Sequence, residues 1–422
     1  MTIQQHNIQR IRVYEEPNGS FAVDGSGTLA NYYECPFIEG SVSYVLERPQ
    51  ESPAHLQQHI DGKAENVLLP KRWTLDVSMN LETVTTKAGN NTTIAQSALG
   101  TILKSVMGDQ RLGVGDLVND ASATTTSIDM TDGTQWKAGA AIGFLTGSGG
   151  TMEIREIEEV STNTITLKHA LSSAPANTST GYAAATYSMG KGNGDTATSL
   201  QFLIEGLELN DRFELLGGQL RSMGLELQPG TIPKVSFSFE GVQWWYADGT
   251  NQSADLTASA LATSTYANNT SLVVVDSELR VLTVGTATLT SSLIHAPSIT
   301  VTPNIQYGQH KTPAGVQTVK SWIRQHAPPV LSGGFTSPYQ DQTWYTARDN
   351  RTDKAVFYQI GTSATDGGVL ISAPTVQITN VQRVNLDGIA GEDISWEARL
   401  DTDTTESTAT DLGQSAFRIH FI

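Results

Sequence analysis

The sequence predicts a mainly β protein with one flanking helix and an inserted small β-domain, and three observations carry that expectation. Several segments alternate apolar and polar residues with a period of two, which gives a strand one dry face and one wet face. The 422 residues hold 38 glycines and only 16% charged side chains, a composition that suits strands joined by many turns. One segment changes to a helical period.

Residues 1–40 carry the breakers Pro17, Gly19, Gly25, Gly27 and Pro36 around short strands at Ile11/Val13 and Phe21/Val23. Ser41–Leu46 reads as a strand. Glu47–Leu69 is a polar loop longer than compact domains retain without a partner, so it reads as an interaction arm. Trp73–Leu81 shows the cleanest alternation, with Trp73, Leu75, Val77, Met79 and Leu81 opposed to Thr74, Asp76, Ser78 and Asn80. From Asn91 to Met107 the stripe Ile94, Ala95, Ala98, Leu99, Ile102, Leu103 and Val106 predicts an amphipathic helix across the dry face of a sheet. Asn91 or Thr92 would cap it and Gly108 would stop it.

Residues 113–190 shift to short strands between turns, flanked by glycines, and read as an inserted unit of about 75 residues, near the lower size for independent folding. Excising it is expected to leave a continuous sheet protein. The interrupted domain, 1–112 and 191–246, resumes with Leu200–Gly206. A hairpin follows, Met223/Leu225/Leu227 with Val235/Phe237/Phe239 on one face, turning at Pro229-Gly230. Its other face, Ser222, Gly224, Glu226, Ser236, Ser238 and Glu240, is short and acidic, as a passage lining would be.

Residues 247–270 read as a linker or outer loop, and 271–422 as a second domain. There Thr300, Thr302 and Asn304 form the wet side of a strand whose Pro303 marks an edge or bulge. Three pieces of the first domain have counterparts in the second: Phe202–Gly206 with Phe357–Gly361, Gly217-Gly218 with Gly367-Gly368, and the strand through Phe237 with Ile394–Leu400. They recur in one order, by diverged duplication or by chance.

With 26 Lys and Arg against 43 Asp and Glu, the formal charge of -17 argues against a surface that grips phosphate. Cys35 is the single cysteine, which excludes an internal disulfide framework and suits a buried small hydrophobe. The N-terminal residues show no secretory signal pattern, and no apolar run has the length that crosses a bilayer.

His55 and His59 have a metal-ligand spacing but neither a third ligand nor a helix, and Asp401/Asp403 lack the glycine and closing glutamate of a calcium loop. Gly143–Gly150 and Gly190–Gly194 lack the ending that cradles phosphate and read as flexible turns. No nucleophile elbow or Cys/His pairing is present. The expectation is therefore a protein that is not an enzyme, with no cofactor and no metal. Trp244-Trp245 suit core or interface anchors better than a sugar platform.

The hairpin ending in Gly230–Glu240, the second ending in Asp393–Glu397, the alternating strand at Trp73 after a long loop, and one helix together resemble the tail tube (major tail) proteins of long-tailed bacteriophages. The inserted segment, with Gly139, Ile142-Gly143-Phe144, Ile154–Ile157, Thr164–Leu167 and Pro175, resembles a small β-module of phage structural proteins. The resemblance implies a tube β-sandwich or barrel with a flanking helix, duplicated in tandem, the inserted domain lying on the outer surface. Subunits would join edge to edge and stack into a tube that conducts viral DNA without binding it specifically.

It further implies a homo-oligomeric ring, a pseudo-sixfold trimer in preference to a hexamer, in a virion tail made and assembled in the host cytoplasm, with no membrane. Its partners would be tail terminator, tape measure and baseplate proteins. The lumen residues would be Thr74, Asp76, Ser78, Asn80, Ser236, Ser238, Glu240, Thr300, Thr302, Asn304, Ser395, Glu397 and Arg399. Asp76, Glu240 and Glu397 against one Arg399 would repel phosphate. The competing class is a β-rich phage or surface adhesin that binds host glycans through Trp244/Trp245 or Trp322/Trp344, with a glycan lyase third.

Overall fold

A computed structural model describes residues 10–16, 32–48, 50–51, 67–68, 71–84, 92–95, 97–146, 150–189, 199–206, 212–246, 269–271, 277–286, 295–302, 307–311, 319–324, 330–339, 342–363, 367–386, 388–401, 404–405 and 412–422. Strands hold 62% of the described residues and helices 8%, which bears out the mainly β expectation.

The main body is built, in chain order, from β1 (Arg10–Glu15), β2 (Ser43–Glu47), β3 (Arg72–Asn80), α1 (Ala98–Met107), β4 (Gly108–Leu112), β5 (Ala185–Met189), β6 (Leu200–Glu205), β7 (Arg212–Glu226), β8 (Lys234–Gly241) and β9 (Gln243–Tyr246). It continues through β10 (Glu278–Thr283), β11 (His295–Thr302), β12 (Val330–Pro338), α2 (Thr343–Asp349), β13 (Lys354–Ser363), β14 (Gly367–Leu386), β15 (Ile389–Ala398) and β16 (Arg418–Phe421).

One curved antiparallel sheet, half of a barrel, runs β2-β3-β8-β7-β11-β12-β15-β14. Its dry face, including Trp73, Leu75, Phe237, Leu225, Ile299, Phe335 and Trp396, forms the main core. A second layer closes that core, with β1-β6-β7-β9 over one half and β10-β13-β14-β16-β5-β4 over the other. The long strands β7 and β14 belong to both layers. β7 passes between them at Gly217, at φ 66°, and Gly218, where a Cβ would stand 2.8 Å from the Trp73 ring and from the Leu200 carbonyl. β14 passes at Pro374, where its register with β13 shifts between Ala373 and Val376.

Two series of seven elements follow the same order. β1, β2, β3, α1, β6, β7 and β8 correspond to β10, β11, β12, α2, β13, β14 and β15. The antiparallel pairings correspond as well: β1 with β6 and β10 with β13, β6 with β7 and β13 with β14, β7 with β8 and β14 with β15, β8 with β3 and β15 with β12, β3 with β2 and β12 with β11. Even the arms match. Between β2 and β3, Gln50–Glu51 pairs with Val67–Leu68, and between β11 and β12, Tyr307–Lys311 pairs with Val319–Arg324.

The helix differs from expectation at its start. Thr92–Ala95 is a separate turn, and Ser97 rather than Asn91 or Thr92 caps α1. Ser97 Oγ donates to the Ile94 carbonyl at 2.6 Å and accepts from the Gly100 N–H at 3.1 Å, so its side chain competes with the helical ladder and interrupts it. Gly108 ends α1 at φ 82°, as expected.

Between α1 and β6 lies a separate six-stranded sheet of Asp116–Leu117, Ser127–Asp129, Ala141–Thr146, Thr151–Ser161, Thr164–Leu167 and Thr180–Ala183. It has its own core around Ile128, Trp136, Phe144, Ile157 and Leu167. β5, at the end of the 113–190 segment, pairs with β16 of the main body. Gly143 is not in a flexible turn but inside the 141–146 strand, where a Cβ would stand 2.7 Å from Ile422 Cδ1 and 2.8 Å from Met152 Sδ.

This sheet packs on the outside of the second half. Along β13, Val356, Tyr358 and Ile360 face the main core, whereas Ala355 and Phe357 face the insert with Leu282, Leu370, Met152 and Ile154. An ionic cluster lies in the same layer. Arg418 Nη2 is 2.8 Å from Asp401 and Nη1 3.3 Å from Glu156, Lys168 Nζ is 2.8 Å from Asp401, and His420 Nε2 is 3.0 Å from Glu156. Excision of the insert would strip this layer from β13, β14 and β16.

Candidate functional site: a polar face of small side chains

The wet face of the half-barrel is an extended surface built from both halves of the chain. β3, β8, β15 and the far part of β7 bury alternate residues, which leaves the intervening residues on the opposite side. Registers place Ser78, Ser236, Gly224, Thr300, Ser332, Glu397 and Gln377 in one continuous row across seven strands. The neighbouring row is Asn80, Lys234, Glu226, Ser298, Gly334, Ser395 and Asn380. A third begins Ser43, Asp76, Ser238 and Ser222, and Thr74 stands opposite Glu240.

The sequence-derived residues Thr74, Asp76, Ser78, Asn80, Ser236, Ser238, Glu240, Thr300, Ser395 and Glu397 thus share one face, half-buried or exposed. Arg399 lies one residue past β15, exposed, its N–H bonded to the Thr375 carbonyl. Thr302 ends β11 opposite Val330. Asn304 and Pro303 lie outside the described residues, as do His55, His59, Gly190–Gly194, Asp403 and nearly all of the 247–270 linker.

The wall is low by composition. Ser78 and Ser236 hydroxyls meet across strands at 2.9 Å. Gly224 has nothing within 4 Å of where a Cβ would stand, so no crowding demands glycine there. Asp76, Glu226, Glu240, Asp393 and Glu397 project from this face, and Lys234 stands in register beside Glu226. Four carboxylates remain without a cation opposite them in register, which gives the surface a negative field within a Debye length of about 8 Å.

Sequence reasoning missed the contribution of β12, Ser332, Gly334 and Thr336. Its alternation is hidden because the dry face carries Gly333, over which the Trp396 indole lies so closely that a Cβ would overlap it. Gly241 lies against Trp73 in the same manner in the first half. Lys234 was missed because it is the first residue of β8, and Asp393 because the sequence reading begins its strand at Ile394 whereas β15 begins at Ile389.

Trp244, Trp245 and Trp344 are engaged within the chain. Lys71 Nζ lies 4.4 Å from the Trp244 ring centre and 4.3 Å from that of Trp245, while donating to the Trp244 carbonyl at 2.7 Å. Trp344 is buried edge-on against Phe335 at 5.1 Å. Trp322 belongs to the Val319–Arg324 strand.

Asp401 is buried in the ionic cluster, not in a solvated loop. Cys35 is buried, and burial pushes its thiol pKa up. Among the described residues no group of three or more His, Cys, Asp or Glu could hold a metal ion, and no helix is long and apolar enough to cross a membrane. No protein-family model and no curated protein matches this chain.

Proposed function

We propose that the chain is a tail tube subunit: a tandem duplication whose copies close edge to edge into a ring, stack, and conduct DNA past the polar face. One observation carries this reading, the internal junction between the halves. There the far part of β7, the strand before the last of the first series, pairs with β11, the counterpart of β2. The corresponding edges at the ends of the eight-stranded sheet are β14 and β2. Repeating the internal junction between molecules joins β14 of one copy to β2 of the next and removes both edges. Three eight-stranded sheets joined in this way, each contributing two corresponding halves, give the pseudo-sixfold trimer.

The acidic face then acts by exclusion. Phosphate is repelled, short side chains leave nothing to snag, and the duplex slides. The glycan-binding reading has less support, because Lys71 covers one face of each of the Trp244 and Trp245 indoles.

Negative-stain microscopy of the purified full chain tests the reading, with rings or hollow tubes of threefold symmetry expected. Particles that stay monomeric at concentrations up to the millimolar range would sink it. Asp76→Lys with Glu240→Lys, both away from the core, should leave tubes intact and reduce DNA delivery in virions. Undiminished delivery would remove these strands from the lumen.

A further inference from the structure

The two rims of the half-barrel carry exposed apolar side chains that the monomer does not use. At one rim the hairpins β7–β8 and β14–β15 turn, each through a glycine of positive φ, Gly230 at 76° and Gly388 at 89°. No atom stands within 4 Å of a Cβ built at either, so both tips project into open space. Each tip carries an isoleucine just after its glycine, Ile232 at 37% exposure and Ile389 at 65%. A turn requires no isoleucine there, and polar residues would serve it better. The same feature nevertheless stands in both halves, on the same side of the sheet.

At the opposite rim, where both arms leave the sheet after Glu47 and after Thr302, Val330 is 41% and Leu400 64% exposed. The face between the rims is polar except at Val45, which is 49% exposed on β2 opposite Thr74. A molecule with a polar wall and two apolar ends has the pattern of a unit that joins to itself end to end, since each contact uses one rim of each copy and leaves the other rim free for the next. Such a heterologous contact does not close, and it produces a filament.

We propose that Ile232 and Ile389 of one copy seat on the Val330 and Leu400 rim of a second copy, forming the axial contact between successive rings. The proposal rests on the tube reading and adds to it a polarity, tips against arm-bearing rim, and a set of residues outside the arms. In a pseudo-sixfold ring the tips are equally spaced points of contact around the channel.

The experiment compares wild type, Ile232→Asp with Ile389→Asp, Ile232→Leu with Ile389→Leu, and, on the other rim, Leu400→Asp. All are full chains, examined by negative stain and sedimentation velocity, with thermal melting as a check on the fold. Expected are rings of wild-type diameter and at least a tenfold drop in tube length for both aspartate variants, with tubes restored in the leucine pair. Tubes of normal length in either aspartate variant would overturn the proposal, as would a variant that melts like wild type but loses rings together with tubes. Wild-type rings that never stack overturn it while sparing ring closure, and a wild type that forms no ring sinks the tube reading and this contact with it.

Discussion

Gly241 and Gly333 place the large indoles of the core. Each lies opposite a tryptophan of the adjacent strand, Trp73 and Trp396, at a distance that only a hydrogen on Cα allows. Gly241→Ala and Gly333→Ala should each destabilise the fold by about 1–3 kcal/mol, because a methyl group there forces the indole off its packing position. Gly224→Ser, on the polar face with open space around it, should stay within about 0.5 kcal/mol of wild type. Urea unfolding of the three variants separates these outcomes. If all three were equally destabilised, the two faces would have been assigned the wrong way round.

At the level of elements, the inserted sheet is a structural wall of the second half. Its contact layer is part apolar, with Phe357, Leu370 and Ile422 against Met152 and Ile154, and part ionic. Burial alone would raise the Glu156 and Asp401 carboxyls. Arg418 and Lys168, with the His420 bond to Glu156 and the Thr404 hydroxyl on Asp401, overcome it and hold both carboxyls below their usual range. Arg418→Met would leave two buried carboxylates short of their main cation, and removal of one partner from such a cluster costs about 3–5 kcal/mol. We expect that loss in the thermal midpoint of Arg418→Met, and little loss for Arg348→Met, whose partner Asp349 is exposed.

For the whole molecule, the same layer sets the response to acid. Burial lowers His169 from 6.5 to about 4, and it lowers His420 as well. Groups with depressed folded pKa values stabilise the fold above their unfolded values and lose that contribution as pH falls through the folded ones. The two histidines start to weaken the fold below pH 6.5, and Glu156 and Asp401 follow below about 4.5. His169 alone accounts for roughly 3 kcal/mol across that span. The raised carboxyls of Glu205 and Asp109, desolvated by burial, oppose the trend. The melting temperature should therefore fall steadily from pH 7 to pH 4, and a flat profile would contradict the assigned burial.

Alternation of side chains by itself determined β3, β7, β8 and the face that each presents, because a period of two fixes the side of a strand without reference to its neighbours. The glycine doublets and the Phe202 and Phe357 segments were likewise legible as recurring pieces, since they are local. Tertiary structure alone decided which strands adjoin, that β7 and β14 pass between layers, and that Ser97 breaks the helix. It also decided that the insert covers the second half and that Ser332, Gly334 and Thr336 complete the polar rows. Those features depend on a partner distant in the chain, Trp396 over Gly333 or Arg418 under Glu156, and a periodic pattern carries no record of what lies across the sheet.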